Sequence, residues 1–184
     1  QAPVVPLAVL RSQRTLGVDL NAGHVDAAVV DRHGNVVGIP ERLDFHLAGC
    51  TARRDAQVRH VITRLIHLAT AHGCGSISIE NLGFEQARSI GRETMGRGRR
   101  GKRFRRTVAG IPTATFRNRL AGMAATAGLA VIAVDPAYTS RWGRQHWLPA
   151  LQTSDPTIDG HRAAAVVIGR RSLGHRARRK PGGP

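Results

Sequence analysis

Two carboxylates occupy places where ordinary core packing asks for none. Asp19 falls inside the apolar run Thr15-Leu16-Gly17-Val18-Asp19-Leu20-Asn21, and Glu80 closes Ile77-Ser78-Ile79-Glu80. A carboxylate within a core strand is costly unless something compensates it. Two of them on separate strands point to a shared cation, because a divalent metal takes oxygen ligands and neutralises both. The competing role for Asp19 is to brace the turn Asn21-Ala22-Gly23, and for Glu80 to serve as a surface residue at a strand end.

The elements that must hold these groups read as follows. Strands over about 14–21, 25–31 and 35–39 form an antiparallel meander, with turn residues at Asn21-Ala22-Gly23 and His33-Gly34-Asn35. Val58, Val61, Ile62, Leu65 and Leu68 recur at helical spacing and predict a helix over 53–71, ended by Gly73 and Gly75. A buried strand follows at 76–80, a second helix at 113–128 with Phe116, Leu120, Met123 and Ala127 on one face, and a fifth strand at 129–134. Asp135 to Trp142 reads as a turn, and a last helix runs from near His161 through Ile168. A meander followed by alternating helices and strands predicts an α/β fold built on a mixed sheet.

Charge identifies the partner. Lys and Arg total 28 against 12 Asp and Glu, a formal net charge of +16. All but Lys102 and Lys180 of these cations are arginines. So basic a domain meets a polyanion, and nucleic acid comes first. No apolar run is long enough to span a bilayer and no basic amphipathic helix stands out, which argues against a membrane partner. The positive charge concentrates at 84–110, where Arg97, Arg99, Arg100, Lys102, Arg103, Arg105 and Arg106 crowd among glycines. Such a run is either a solvated loop or an arm that tracks a phosphate backbone, and beside a strand with an acidic metal ligand we favour the arm. The two cysteines, Cys50 and Cys74, have no metal-ligand spacing and read as free thiols of a reducing cytoplasm.

Four segments in order carry a resemblance: Gly17-Val18-Asp19-Leu20-Asn21, Ile79-Glu80-Asn81-Leu82, Val134-Asp135-Pro136-Ala137-Tyr138-Thr139-Ser140, and a final Ala-Ala helix. Together they resemble the C-terminal half of OrfB/TnpB-type transposon-associated nucleases, relatives of the type V CRISPR effectors, over about 14–172. The resemblance implies a RuvC-like domain of RNase H-like fold, α/β with a mixed five-stranded sheet and helices on both faces. It implies RNA-guided cleavage of DNA with Mg²⁺ or Mn²⁺, hence DNA and a guide RNA as partners, in a prokaryotic cytoplasm at the nucleoid. By position, Asp19 matches the acidic residue of the first motif and Glu80 that of the second, and a pair of ions would clamp the scissile phosphate between them.

The third ligand departs from the family pattern. His161 stands where the aspartate is expected, in the frame His161-Arg162-Ala163-Ala164-Ala165. Imidazole is a softer ligand and suits Mn²⁺ better than Mg²⁺. Asp159, two residues earlier, is the alternative ligand, and its competing role is to cap the last helix. A degraded site that no longer cuts is the third alternative. The family's zinc ribbon, expected within 140–158, has no cysteines here, so no zinc is expected and Trp142 and Trp147 should pack into that space, with a platform stacking on bases as their competing role. Residues 1–13 read as a linker or the end of an upstream domain, and 173–184 as a basic tail, disordered beyond the helix. Two other functions compete with the nuclease: a catalytically inactive nucleic-acid-binding remnant, and a fragment of an actin-like ATPase or sugar kinase, which shares the Gly-x-Asp hairpin.

Overall fold

The computed structural model describes residues 5–46, 48–81 and 113–178. The arginine-rich segment of 84–110 therefore lies outside the described residues. A short helix α1 (Leu7–Arg11) leads into three strands, β1 (Arg14–Asn21), β2 (His24–Val30) and β3 (Val36–Asp44). Helix α2 (Thr51–Ala71) connects to β4 (Cys74–Glu80). After α3 (Thr113–Thr126) and β5 (Ala130–Val134) come three helices, α4 (Thr139–His146), α5 (Leu148–Ser154) and α6 (Gly160–Ser172).

The sheet has five strands in the order β3-β2-β1-β4-β5. The meander pairs antiparallel, whereas β4 and β5 join parallel to β1. Residue alternation along β1 sorts two cores. Leu16 and Val18 face α2 and α3, joining Val25, Ile62, Leu65, Ile77, Phe116 and Leu120 in the larger one. Gly17 and Asp19 face the other layer, where α6 lies.

Helix α6 sits unusually close to the strands. A Cβ on Gly17 would come within 2.1 Å of the Ala165 carbonyl oxygen and 2.6 Å of the Gly169 nitrogen. Only glycine opposite small residues permits this approach. Small hydroxyls fill the rest of the contact. The Thr15 and Ser78 hydroxyls share a hydrogen bond at 2.7 Å, and Ser78 donates to Ser172 on α6 at 2.7 Å. These buried hydroxyls satisfy one another instead of demanding water. Ala163 to Ile168 are all fully buried, which explains the helix's continuous apolar run.

The structure adds detail at four places. Strand β3 continues to Asp44 instead of stopping near 39. It holds Pro40, which an edge strand tolerates because one side of its backbone has no partner strand. The 140–158 region is two helices, α4 and α5, with Trp147 buried and Trp142 half-buried beside them. Residues 1–13 include helix α1, pinned by buried Leu10 and by Arg11, whose Nε donates to the Ser172 carbonyl at 3.3 Å. The start of the tail is docked, since Trp147 Nε1 donates to the Ala177 carbonyl at 2.6 Å and Arg170 Nε to that of Arg176 at 2.9 Å.

Candidate metal centre

Parallel pairing of β1 with β4 ends with Val18 opposite Ile79, so the next residues, Asp19 and Glu80, stand side by side. Across the other edge of β1, Asp19 faces Asp26 on β2, and Asp26 faces Arg42 on β3. Register alone thus sets Arg42, Asp26, Asp19 and Glu80 in a row across four strands, on the face that α6 covers. The chain places one cation and three carboxylates in that row, and their surroundings differ.

Asp26 is fully buried. Arg42 donates to both its oxygens, from Nε at 2.9 Å and Nη2 at 3.2 Å. Burial pushes the Asp26 carboxyl above its ordinary value, and the Arg42 guanidinium works against that. The same Nη2 donates to Asp159 Oδ2 at 2.6 Å. Asp159 in turn caps α6, its Oδ1 accepting the backbone N–H groups of His161 and Arg162, each at 3.2 Å. Burial raises the Asp159 carboxyl, but the Arg42 bond and the cap outweigh it and hold the group below its ordinary value. Asp159 therefore has both oxygens engaged, one as a cap and one in an ion pair that ties the helix start to the edge strand.

That cap delivers His161 to Asp19. The ring Nδ1 lies 3.2 Å from Asp19 Oδ2, and this contact outweighs burial and raises the imidazole above its ordinary value. Asn21 Nδ2 donates to the same Asp19 oxygen at 3.0 Å and also reaches Asp26 Oδ2 at 3.3 Å. Asn21 links the two aspartates by a neutral bridge.

Glu80 makes no ion pair among the described residues, although Arg171 lies near enough to oppose its rise. Burial lifts it to about 7, with the Thr139 hydroxyl opposing and the Asp19 charge adding to the rise. Thr139 donates to Glu80 Oε1 from the first turn of α4. Two oxygen ligands on adjoining strands, with an imidazole beside one of them, form a donor set that fits a hard or borderline divalent cation. Asp19, Glu80 and His161 are the candidates to hold it.

A different trio is tighter. Among the described residues, His24, Asp26 and His161 are the group whose ligand atoms all lie within 4.8 Å of one another. His24 stands edge-on to His161, with ring centroids 5.4 Å apart, and its Nε2 is 3.2 Å from Asp26 Oδ2. Here the charge of Asp26 is already met by Arg42, with Arg162 Nε 3.9 Å away, so a cation would compete with guanidinium. Sequence reading passed over His24, Asp26, Arg42 and Asn21. The signal available was Asp26 itself, a second carboxylate inside an apolar strand. The basic residues Arg97, Arg99, Arg100, Lys102, Arg103, Arg105 and Arg106 lie outside the described residues. No described helix is long and apolar enough to cross a membrane.

No protein-family model matches the sequence, and no curated protein sequence matches it significantly. Solved structures do match. Thermus thermophilus RuvC in complex with a Holliday junction substrate aligns with a TM-score of 0.53 at 12% identity, over 85% of this chain and 90% of that one. Another structure of Thermus thermophilus RuvC gives 0.51 at 12% identity, over 88% and 97%. A ROK family glucokinase from Streptomyces griseus, with glucose and AMPPNP, gives 0.41 at 17% identity over 36% of its length, too slight a likeness to argue from. The likeness to the first two shows the fold: the chain has an α/β fold of the RNase H-like, RuvC-like kind.

Proposed function

We propose that this chain is a RuvC-like endonuclease domain that cleaves DNA with a divalent cation, Mg²⁺ or Mn²⁺. The observation that carries the reading is Glu80, a carboxyl lifted to about 7 beside Asp19, with neither carboxylate ion-paired to an arginine among the described residues. Asp19, Glu80 and His161 would hold the ion. When bound, such an ion neutralises charge on a phosphate and acidifies a coordinated water. Asn21 orients Asp19, Thr139 orients Glu80, and the Asp159 cap with its Arg42 tether fixes the helix turn that presents His161. With its carboxyl lifted to about 7, Glu80 is partly protonated near neutral pH, so ion uptake should release protons.

Within this reading, the order of the four sequence segments supports a member of the transposon-associated OrfB/TnpB-type group. DNA would then be selected by pairing to a guide RNA, with Arg97 to Arg106 gripping the backbone. A RuvC neighbour is bound to a Holliday junction, so four-way DNA belongs among the substrates to try. The test is cleavage of single-stranded, duplex, guide-paired and four-way DNA in Mg²⁺ and in Mn²⁺. Cleavage should vanish in Asp19→Asn and in Glu80→Gln. Cleavage that survives both substitutions would refute the reading.

The second reading is a binder that no longer cuts. His161 in the aspartate's place, and Asp159 with both oxygens engaged, favour it. Metal-independent DNA binding, with no cleavage by wild type and cleavage gained in His161→Asp, would select it.

A further inference from the structure

Between β5 and α4 the chain turns through Tyr138, whose φ is +63°, the one positive value for a non-glycine among the described residues. Asn or Gly takes that conformation far more readily than an aromatic residue. The ring does not cap α4, since its side chain makes no cap hydrogen bond. It is 60% exposed, more than any other large hydrophobic of the described residues. Neither folding nor capping explains an aromatic ring held in water on a disfavoured backbone.

Its neighbours do suggest a use. The Tyr138 and Trp142 rings lie 5.6 Å apart at an interplanar angle of 33°. The Arg171 guanidinium packs over Trp142 at 5.1 Å and donates to the Asp135 and Ala137 carbonyls, the latter at 2.9 Å. Turn, ring pair and guanidinium are thus tied together. The ledge adjoins the candidate metal centre, because the next residue, Thr139, donates to Glu80 and Arg171 stands near enough to act on that carboxyl.

We propose that Tyr138 and Trp142, backed by Arg171, form a stacking ledge for an unpaired nucleobase beside the Asp19–Glu80 site. A flat aromatic surface with an adjoining guanidinium, on a chain of charge +16, matches a base and its phosphate. An intact duplex keeps its base faces stacked and offers none to the ledge. The substrate class is therefore nucleic acid with at least one exposed base near the phosphate to be attacked: a single strand, a flap or a branch point. The proposal rests on the nuclease reading for its location and deepens it.

The experiment measures binding of the full chain, in chelator, to a labelled single strand and to a blunt hairpin duplex by fluorescence anisotropy. Tyr138→Asn suits the positive φ while removing the ring, so it should melt no lower than wild type. It should lose about 5- to 100-fold in affinity for the single strand and keep duplex affinity within about 2-fold. Tyr138→Phe keeps the stacking face and should bind like wild type. Three results overturn the ledge: a wild type that does not bind the single strand, single-strand affinity unchanged in Tyr138→Asn, or equal losses on both substrates. Loss of the ledge with Asp19-dependent cleavage intact leaves the nuclease reading standing. A selective loss in Tyr138→Asn, with cleavage indifferent to Asp19→Asn, sinks that reading and keeps the ledge.

Discussion

Replacing Glu80 by glutamine should stabilise the metal-free protein, and only at neutral to alkaline pH. The carboxyl titrates at 4.5 when unfolded and at about 7 in the fold. The native state therefore binds the proton more tightly than the unfolded chain. Stability is undiminished below pH 4.5, falls as pH rises from there to about 7, and stays reduced above it. A displacement of this size disfavours the ionised form by roughly 3 kcal/mol, and solvent reaching a half-buried group trims that to roughly 2 kcal/mol. Gln keeps the shape and can still accept the Thr139 hydroxyl. In EDTA at pH 8 the variant should exceed wild type by about 2–3 kcal/mol in urea unfolding, or roughly 4–12 °C in melting temperature. At pH 4.5 the two should coincide. Adding Mn²⁺ at about a hundred times its Kd should then raise wild type by about 2.7 kcal/mol and leave Glu80→Gln little changed. A variant less stable than wild type at pH 8, or a difference equal at both pH values, would refute the argument that burial makes the Glu80 charge destabilising.

Other substitutions probe the supports. Arg42→Ala strands a fully buried Asp26 and frees the Asp159 cap, and should cost about 3–5 kcal/mol in chemical denaturation. Asp26→Asn in the same background should recover part of this loss. Gly17→Ala puts a methyl into the α6 backbone, and should cost more than about 4 kcal/mol or yield no folded protein, as followed by far-ultraviolet circular dichroism and solubility. His161 is raised above its ordinary 6.5 by Asp19, so Mn²⁺ affinity by calorimetry should fall as pH drops through a value above 6.5. The same raised value means its contact with Asp19 stabilises the fold most below pH 6.5 and fades at higher pH, which melts of His161→Ala across pH would detect.

What could be read from the sequence was what depends on neighbours along the chain. Asp19 stood out as a carboxylate set in a strand with Leu16, Val18 and Leu20, and Glu80 as one closing a strand with Ile77 and Ile79. The α2 helix showed in the spacing of Val58, Val61, Ile62 and Leu65. Pro40 hid the second half of β3, because its cost depends on edge position, which only the assembled sheet defines. Helices α4 and α5 are short and contain Gly143 and Pro149, residue types that weaken any helical signal in the sequence. In the fold Gly143 is required, since a Cβ there would come within 2.7 Å of the Ala163 and Ala164 backbone. The Asp26–Arg42–Asp159 chain was invisible because its members are brought together by register and by a helix end far along the chain. Tyr138 was passed over as one residue of a turn, since nothing in the local sequence reveals its backbone angle or its exposure.

The contact between Asp19 and His161 joins residues 142 positions apart, and Arg42 reaches Asp159 across 117. Five strands and two long helices precede α6 in synthesis, yet neither the imidazole nor its cap exists until that helix emerges. Whatever chemistry the centre performs is thus withheld from the growing chain and begins only when nearly all of the domain has left the ribosome. Any product broken off before Gly160 has the acidic strands but not the residue that completes them.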